Sequence, residues 1–194
     1  MTEGTCPAPA AALSSWLSAP ADPQRLAGLI ASSRIAAIQA STVDRLPAAC
    51  FTALQQSEGV RFGGLRPQLR RALLVLGLGS KLGLEPTSEE RRELEQMPFV
   101  VHAVDQEIVI EVSAVLDRSN GFGQPCFHQW VSGVDAVAVV IDCSRLNQIN
   151  SVMIAWMLQV VQSAKPVPVK VFRAKSQVAT QLRQLRLDHL MQIV

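Results

Sequence analysis

The stretch AVVIDCSRLNQINSVMIAWMLQVV, residues 138–161, predicts a strand, a polar turn and a helix in succession. Val137–Ile141 is a continuous apolar run with the length and β-branched content of a strand buried on both faces. The turn over Asp142–Asn150 is polar, and a helical pattern of apolar residues begins at Ser151. Ligands and partners of open α/β sheets bind at the carboxyl ends of the strands. This turn and the helix N-terminus are therefore the first candidate for a functional surface.

Length and composition allow one large domain or two small ones. Of the 194 residues, 48% are hydrophobic and 18% are charged, so the chain can bury a substantial core. The formal net charge of +2 is too small to indicate nucleic-acid binding by itself. No apolar run approaches the roughly 20 residues of a membrane span, and the N-terminus lacks the features of a signal peptide. We therefore expect a cytoplasmic protein without a membrane span.

The four cysteines are scattered and form no CxxC pair, so they are expected to be free thiols in a reducing compartment. They are Cys6, Cys50, Cys126 and Cys143. The three histidines have no helical metal-ligand spacing, and Cys126 with His128 is too little for a zinc site. The glycine-rich stretch Gly77–Gly83 fails as a nucleotide loop, because Leu82 stands at its third glycine position. No metal site or cofactor is predicted.

A densely charged stretch before Pro98 marks the clearest boundary in the chain. Thr87 and Glu90 have the spacing of a capping box, and SEERRELEQ has little to bury. We read it as a solvated linker helix. The expected division is a flexible leader over residues 1–12, a first domain over 13–85, the linker helix over 86–97 and a second domain over 98–194.

Strand and helix patterns alternate on both sides of this boundary, which predicts the α/β class. In the first half the predicted elements are strands over Arg34–Ala40 and Val60–Phe62, a helix over Ala48–Gln56, and a helix from Pro67 that ends at Gly77 and Gly79. In the second half they are a half-buried strand over Gln106–Ala114, a short helix over Pro125–Ser132, a strand over Val167–Phe172 and a helix N-capped by Ser176.

The two halves resemble each other. Ile38–Ser41 aligns without gaps on Ile141–Ser144, and the turns that follow have the same length. Further on, Pro67–Leu73 is parallel to Ser176–Leu182. The same order of strand, turn, helix, strand and helix in both halves favours a duplication.

Four segments of the second half resemble the STAS domain, the family of sulphate transporter domains and anti-sigma factor antagonists. Ser113–Asp117 is similar to the family's "GxLD" hairpin, and Ile141–Ser144 to its "lDlS" strand end. Ile149–Met153 stands where the family has "hDSxG" at a helix start, and Leu185–Leu190 resembles its closing "tGLdxl" stretch. The resemblance covers nearly all of Phe99–Val194, and the order and spacing of the four motifs together are fairly specific.

The resemblance implies two STAS-like domains, each a small mixed β-sheet flanked by helices, with the first domain degenerate. It also implies a switch that is not an enzyme. In antagonist-type members the serine of "DSxG" is phosphorylated by a kinase that is also the anti-sigma factor, and the unphosphorylated form binds that partner. The corresponding residue is Ser151. Asn150 and Met153 depart from the family's Asp and Gly, and the first half has no hydroxyl within Pro47–Cys50.

The helix that begins at Ser151 is apolar nearly all round, so part of it is either a contact surface for a partner or buried against the first domain. On the first interpretation, the partner-binding residues are Asn150, Ser151, Val152, Met153, Trp156 and Met157. Ser151 itself has two interpretations, a phospho-acceptor beside the unpaired N–H groups of a helix start and a purely structural N-cap.

Two other functions fit the resemblance. The protein is a candidate accessory subunit that docks on the ATPase of a lipid-transporting ABC system, where similar faces act without phosphorylation. It is also a candidate structural scaffold, in which the halves or two copies of the chain pair as a homodimer. An enzyme is the least favoured class, because no catalytic constellation can be assembled from the sequence.

Overall fold

The computed structural model describes residues 17–18, 25, 28, 30, 36–113 and 124–194. It is a mixed α/β fold, as the sequence pattern predicts. Two predictions fall wholly or largely outside these residues: the leader over 1–12 and the hairpin motif that ends at Asp117.

The first half contains a small parallel sheet. Its strands are β1 (Leu17–Ser18), β2 (Ala36–Gln39) and β4 (Val60–Gly63), in the order β1-β2-β4. A two-residue strand β3 (Leu46–Pro47) precedes helix α1 (Ala48–Gln56), and helix α2 (Pro67–Val75) follows β4. Pro67 occupies the first helical turn, where its missing N–H costs nothing.

Helix α2 ends as predicted, with a glycine in the left-handed conformation. Gly77 has φ +72°. The Leu78 N–H donates to Leu73 O at 2.9 Å and the Gly77 N–H to Leu74 O at 3.0 Å, which is the Schellman pattern. Gly77 therefore terminates the helix.

The predicted linker helix is α3 (Ser88–Glu95), and its capping box is complete. Thr87 Oγ1 accepts from the Glu90 N–H at 3.2 Å, and Glu90 Oε2 accepts from the Thr87 N–H at 2.8 Å. None of its residues is buried, in agreement with the charged sequence. It is nevertheless attached to α2, because Glu90 pairs with Arg70 at 3.0 Å and Glu93 with Arg71 at 2.6 Å.

The second half is built on a five-stranded sheet in the order β10-β9-β8-β6-β5. The strands are β5 (Phe99–Val104), β6 (Glu107–Val112), β8 (Ala138–Asp142), β9 (Val169–Phe172) and β10 (Gln192–Ile193). All pairings are parallel except the hairpin of β5 and β6. Every residue of β8 is buried, and the alternation of β6 puts Ile108, Ile110 and Val112 in the core, as predicted.

The described residues of this half also form two helices and three short 3₁₀ segments. They are helix α4 (Ser151–Ala164), helix α5 (Ser176–Gln184) and the 3₁₀ segments Pro125–Phe127, Gln129–Gly133 and Leu187–His189. The first two 3₁₀ segments replace the single short helix predicted over Pro125–Ser132. The prediction that Ser176 is an N-cap was wrong: the cap position is Lys175, Ser176 is the first helical residue, and no side chain caps α5.

The two halves pack on each other. The short strand β7 (Val134–Asp135) pairs in parallel with β3, so that Leu46 lies opposite Val134. Gly133 approaches α2 so closely that a Cβ atom there would lie 2.7 Å from Gln68 O and 2.9 Å from Leu69 Cα. The buried residues of both halves belong to one contiguous hydrophobic cluster. The division into two STAS-like domains stays a prediction.

Several backbone hydrogen bonds recur in the two halves at equivalent places. The recurring pairs are Ala40 N to Gly63 O and Cys143 N to Phe172 O; Val43 N to Ala40 O and Leu146 N to Cys143 O; Leu82 N to Leu78 O and Met191 N to Leu187 O. The left-handed residues recur too, at Gly64 and Arg173 and at Gly77 and Arg186. The equivalences match the sequence alignment of the two halves, residue for residue.

Candidate partner-binding site

The N-terminus of α4 is capped by Asn150. Asn150 has extended backbone angles (φ −111°, ψ 173°), and its Oδ1 accepts a hydrogen bond from the Met153 N–H at 2.8 Å. The interpretation of Ser151 as the structural cap was therefore wrong. Ser151 is the first residue of the helix and is exposed to solvent. Asparagine caps as well as serine, so the cap leaves the Ser151 hydroxyl at the surface.

Asp142 fixes the carboxyl end of β8, where the turn to α4 begins. Only 3% of it is exposed. Its Oδ1 accepts from the Ser144 N–H at 2.9 Å, and its Oδ2 accepts from the Arg173 guanidinium. Burial alone would raise the pKa of Asp142, but the hydrogen bonds from Ser144 and Arg173 outweigh it and hold the pKa below its ordinary value. Asp142 is thus a charged turn anchor.

Arg173 takes the left-handed conformation at φ +52° and lies over the Phe172 ring, 5.1 Å from its centroid. In the first half the equivalent residue is Gly64, where a Cβ atom would lie 2.5 Å from the Gln39 side-chain nitrogen. Gln39 stands where the second half has Asp142. The two halves therefore keep the same backbone turn. The second half holds it with the Arg173–Asp142 ion pair, and in the first half an ion pair joins Arg66 to Asp44 of the turn after β2.

Half of the predicted partner-binding residues are inaccessible. Met153, Trp156 and Met157 are fully buried. The Trp156 ring lies 5.3 Å from that of Phe99, and its Nε1 donates to Phe127 O at 3.1 Å. The alternative prediction was that α4 is buried against the first domain. These three residues are buried, but the contacts of Trp156 come from the same half. What remains for a partner is Ser151, which is exposed, with Asn150 and Val152, which are half-buried.

A groove that the sequence did not predict lies beside this turn. It has a volume of about 690 Å³ between the end of the turn and α5. Its lining residues are Gln148, Ile149, Ser176, Gln177, Thr180, Gln181 and Gln184. Gln181 Nε2 donates to Ile149 O at 3.2 Å across the groove. The sequence signal is the polar outer face of SQVATQLRQ, which looks like an ordinary solvated helix surface.

The thiols and histidines form no reactive site in the described ranges. Burial raises the pKa of Cys50 to about 11 and that of Cys143 to about 12, and it also raises the pKa of Cys126. His128 Nδ1 lies 3.0 Å from Ser163 Oγ, and burial lowers the pKa of this histidine. Among the described residues, no three His, Cys, Asp or Glu side chains are placed to hold a metal ion. Cys6 lies outside these residues.

Comparison with protein-family models, with curated proteins and with solved structures finds no match to this chain. None of the helices in the described part of the chain has the length and apolarity that a bilayer crossing requires.

Proposed function

We propose that this protein is a non-catalytic, protein-binding regulator that resembles anti-sigma factor antagonists and switches partners at the N-terminus of α4. Ser151 is its phospho-acceptor, and the unphosphorylated form binds the partner. One observation carries the proposal. Asn150 caps the helix, and the adjacent Ser151 is exposed and does not act as the cap.

The physical chemistry of this position supports a phosphate. The first N–H groups of any helix have no acceptor within the helix, and the positive end of the helix dipole favours an anion there. Asn150 Oδ1 accepts from the Met153 N–H, and a phosphate on Ser151 would lie next to the other N–H groups of the first turn. The added negative charge would also alter the surface that a partner contacts, without disturbing the buried Met153 and Trp156.

The test uses the full chain as bait in an extract of its native source. Ser151→Glu mimics the phosphorylated form, and Ser88→Glu is the matched control, because Ser88 is likewise an exposed first residue of a helix with a separate N-cap. We expect wild type and Ser88→Glu to retain a kinase-type partner that Ser151→Glu loses. Peptide mass spectrometry of the endogenous protein should find phosphate on Ser151.

Equal partner retention by all three proteins, with Ser151 unmodified, would contradict the switch. If the retained protein is then the ATPase of an ABC transporter, the accessory-subunit function replaces the partner switch as the proposed function.

A further inference from the structure

The first half has a docking surface that the second half fills. The 3₁₀ segment Gln129–Gly133 packs on α2, and β7 continues from it to pair in parallel with β3. Gly133 lies at the closest point, where any side chain would collide with the backbone of Gln68. The occupant is therefore a tight turn that has a glycine at the contact and continues as an extended strand.

The groove beside α5 is the equivalent place in the second half. The recurring hydrogen bonds relate Ala40 to Cys143 and Leu78 to Leu187, which are separations of 103 and 109 residues. At these separations four groove residues correspond to residues of α2 and β3, the two elements that the second half contacts. The pairs are Ile149 and Leu46, Gln177 and Gln68, Thr180 and Arg71, and Gln181 and Ala72.

Gln68 and Gln177 are both exposed, and Leu46 and Ile149 are both buried, but other equivalent positions are more exposed on α5 than on α2. Ala72 is fully buried, whereas its counterpart Gln181 is half-buried. Leu76, at the end of α2, is 6% exposed, whereas its counterpart Leu185 is 49% exposed. Within the described residues, no segment covers α5 as Gln129–Gly133 covers α2.

The chemistry of the open groove suits a polypeptide that binds reversibly. Its side chains are amides, hydroxyls and one isoleucine, with no charged group. Interfaces that form and dissociate are about as polar as ordinary surface, because they must be stable in water when empty. Ile149 is equivalent to Leu46, which pairs with a strand in the first half. In the open groove the Ile149 carbonyl accepts a hydrogen bond from the Gln181 side chain instead.

We propose that this groove docks a segment of a protein partner: an uncharged tight turn with glycine at the contact, followed by a strand that pairs in parallel with Ile149–Asn150. Such strand addition takes its affinity from backbone hydrogen bonds, and Gln181 gives up the Ile149 carbonyl when the strand arrives. The proposal rests on the proposed function only in taking the partner to be a protein. It requires no phosphate on Ser151.

The probe is a library of random linear peptides displayed on phage and selected on the immobilised full chain. Selected peptides are then synthesised and titrated by fluorescence anisotropy. Thr180→Trp fills the groove, and Arg183→Trp puts the same side chain at an exposed position of α5 that does not line it. We expect Thr180→Trp to weaken binding about tenfold or more and Arg183→Trp by less than about twofold.

A second variant tests the role of Gln181. Gln181→Ala copies the residue of the occupied surface, Ala72, and removes the side chain that has to be displaced. It should tighten binding by about fivefold, the effect of one neutral hydrogen bond. Hydrogen exchange of the Ile149 amide should slow in the complex.

The proposal is overturned if the library yields no peptide that binds the chain, or if the selected peptides bind Thr180→Trp as tightly as wild type. Unchanged exchange at Ile149 in a saturated complex would also overturn it. Its failure is separable from that of the switch, because loss of the native partner by Ser151→Glu but not by Thr180→Trp leaves the switch standing without the groove.

Discussion

Asn150 Oδ1 accepts the Met153 N–H at 2.8 Å, so the cap of α4 is complete one residue before Ser151. Removing this acceptor should therefore cost stability, whereas removing the serine hydroxyl should not. We expect Asn150→Ala to lower the free energy of unfolding by about 1 kcal/mol. Ser151→Ala should change it by less than about 0.5 kcal/mol, as at an ordinary surface position. Urea denaturation followed by tryptophan fluorescence measures both, and equal losses in the two variants would return the capping role to Ser151.

The buried carboxylate of Asp142 should make stability depend on pH. Its pKa is lower in the folded protein than its ordinary value of 3.8, so the ionised form stabilises the fold. This contribution is complete above pH 3.8 and is lost as the pH falls through the folded-state pKa. Asp142→Asn should therefore be less stable than wild type at neutral pH, and the difference should shrink in strong acid. Asp188→Asn, at an exposed position, is the control, and a difference for Asp142→Asn that does not depend on pH would refute the ion pair.

Some strands could be predicted from the sequence and others could not. The run of β8 before Asp142 is apolar on both faces, so its burial could be predicted from the residues alone. Strand β5 could not, because the tight turn at Asp105 has a left-handed residue at φ +54° that is not glycine, and the usual hairpin signal is missing.

At the candidate site, the helix cap and the buried face of α4 could not be predicted for a different reason. Asparagine and serine are comparable caps, and only the extended backbone of Asn150 decides between them. The face of α4 that is covered depends on Phe99 and Phe127, which lie far away in the sequence. Repetition in the sequence did predict where the turns of the two halves correspond.

The thiols should react in an order set by burial. With pKa values of about 11 for Cys50 and about 12 for Cys143, these two thiols are protonated at pH 8 and shielded from reagents. Cys126 is only half-buried and should be alkylated first in a Cys6→Ser background. Mass spectrometry after timed iodoacetamide treatment gives the order, and urea should remove the differences. Modification of Cys143 before Cys126 under native conditions would contradict the burial of the β8 end.

Gly133 should control how firmly the two halves are joined. Gly133→Ala would put a Cβ atom 2.7 Å from Gln68 O and 2.9 Å from Leu69 Cα, and these are backbone atoms that cannot rotate away. We expect a loss of about 1–3 kcal/mol, the usual cost of forcing one carbon into a packed contact. Gly28→Ala, where no described residue lies within 4 Å of the added carbon, is the control and should be nearly neutral. Because one hydrophobic cluster spans both halves, the loss should appear as a shift of a single unfolding transition. Two separate transitions in the wild type, with only one moved by Gly133→Ala, would instead mean that the halves fold independently and that their contact is an ordinary domain interface.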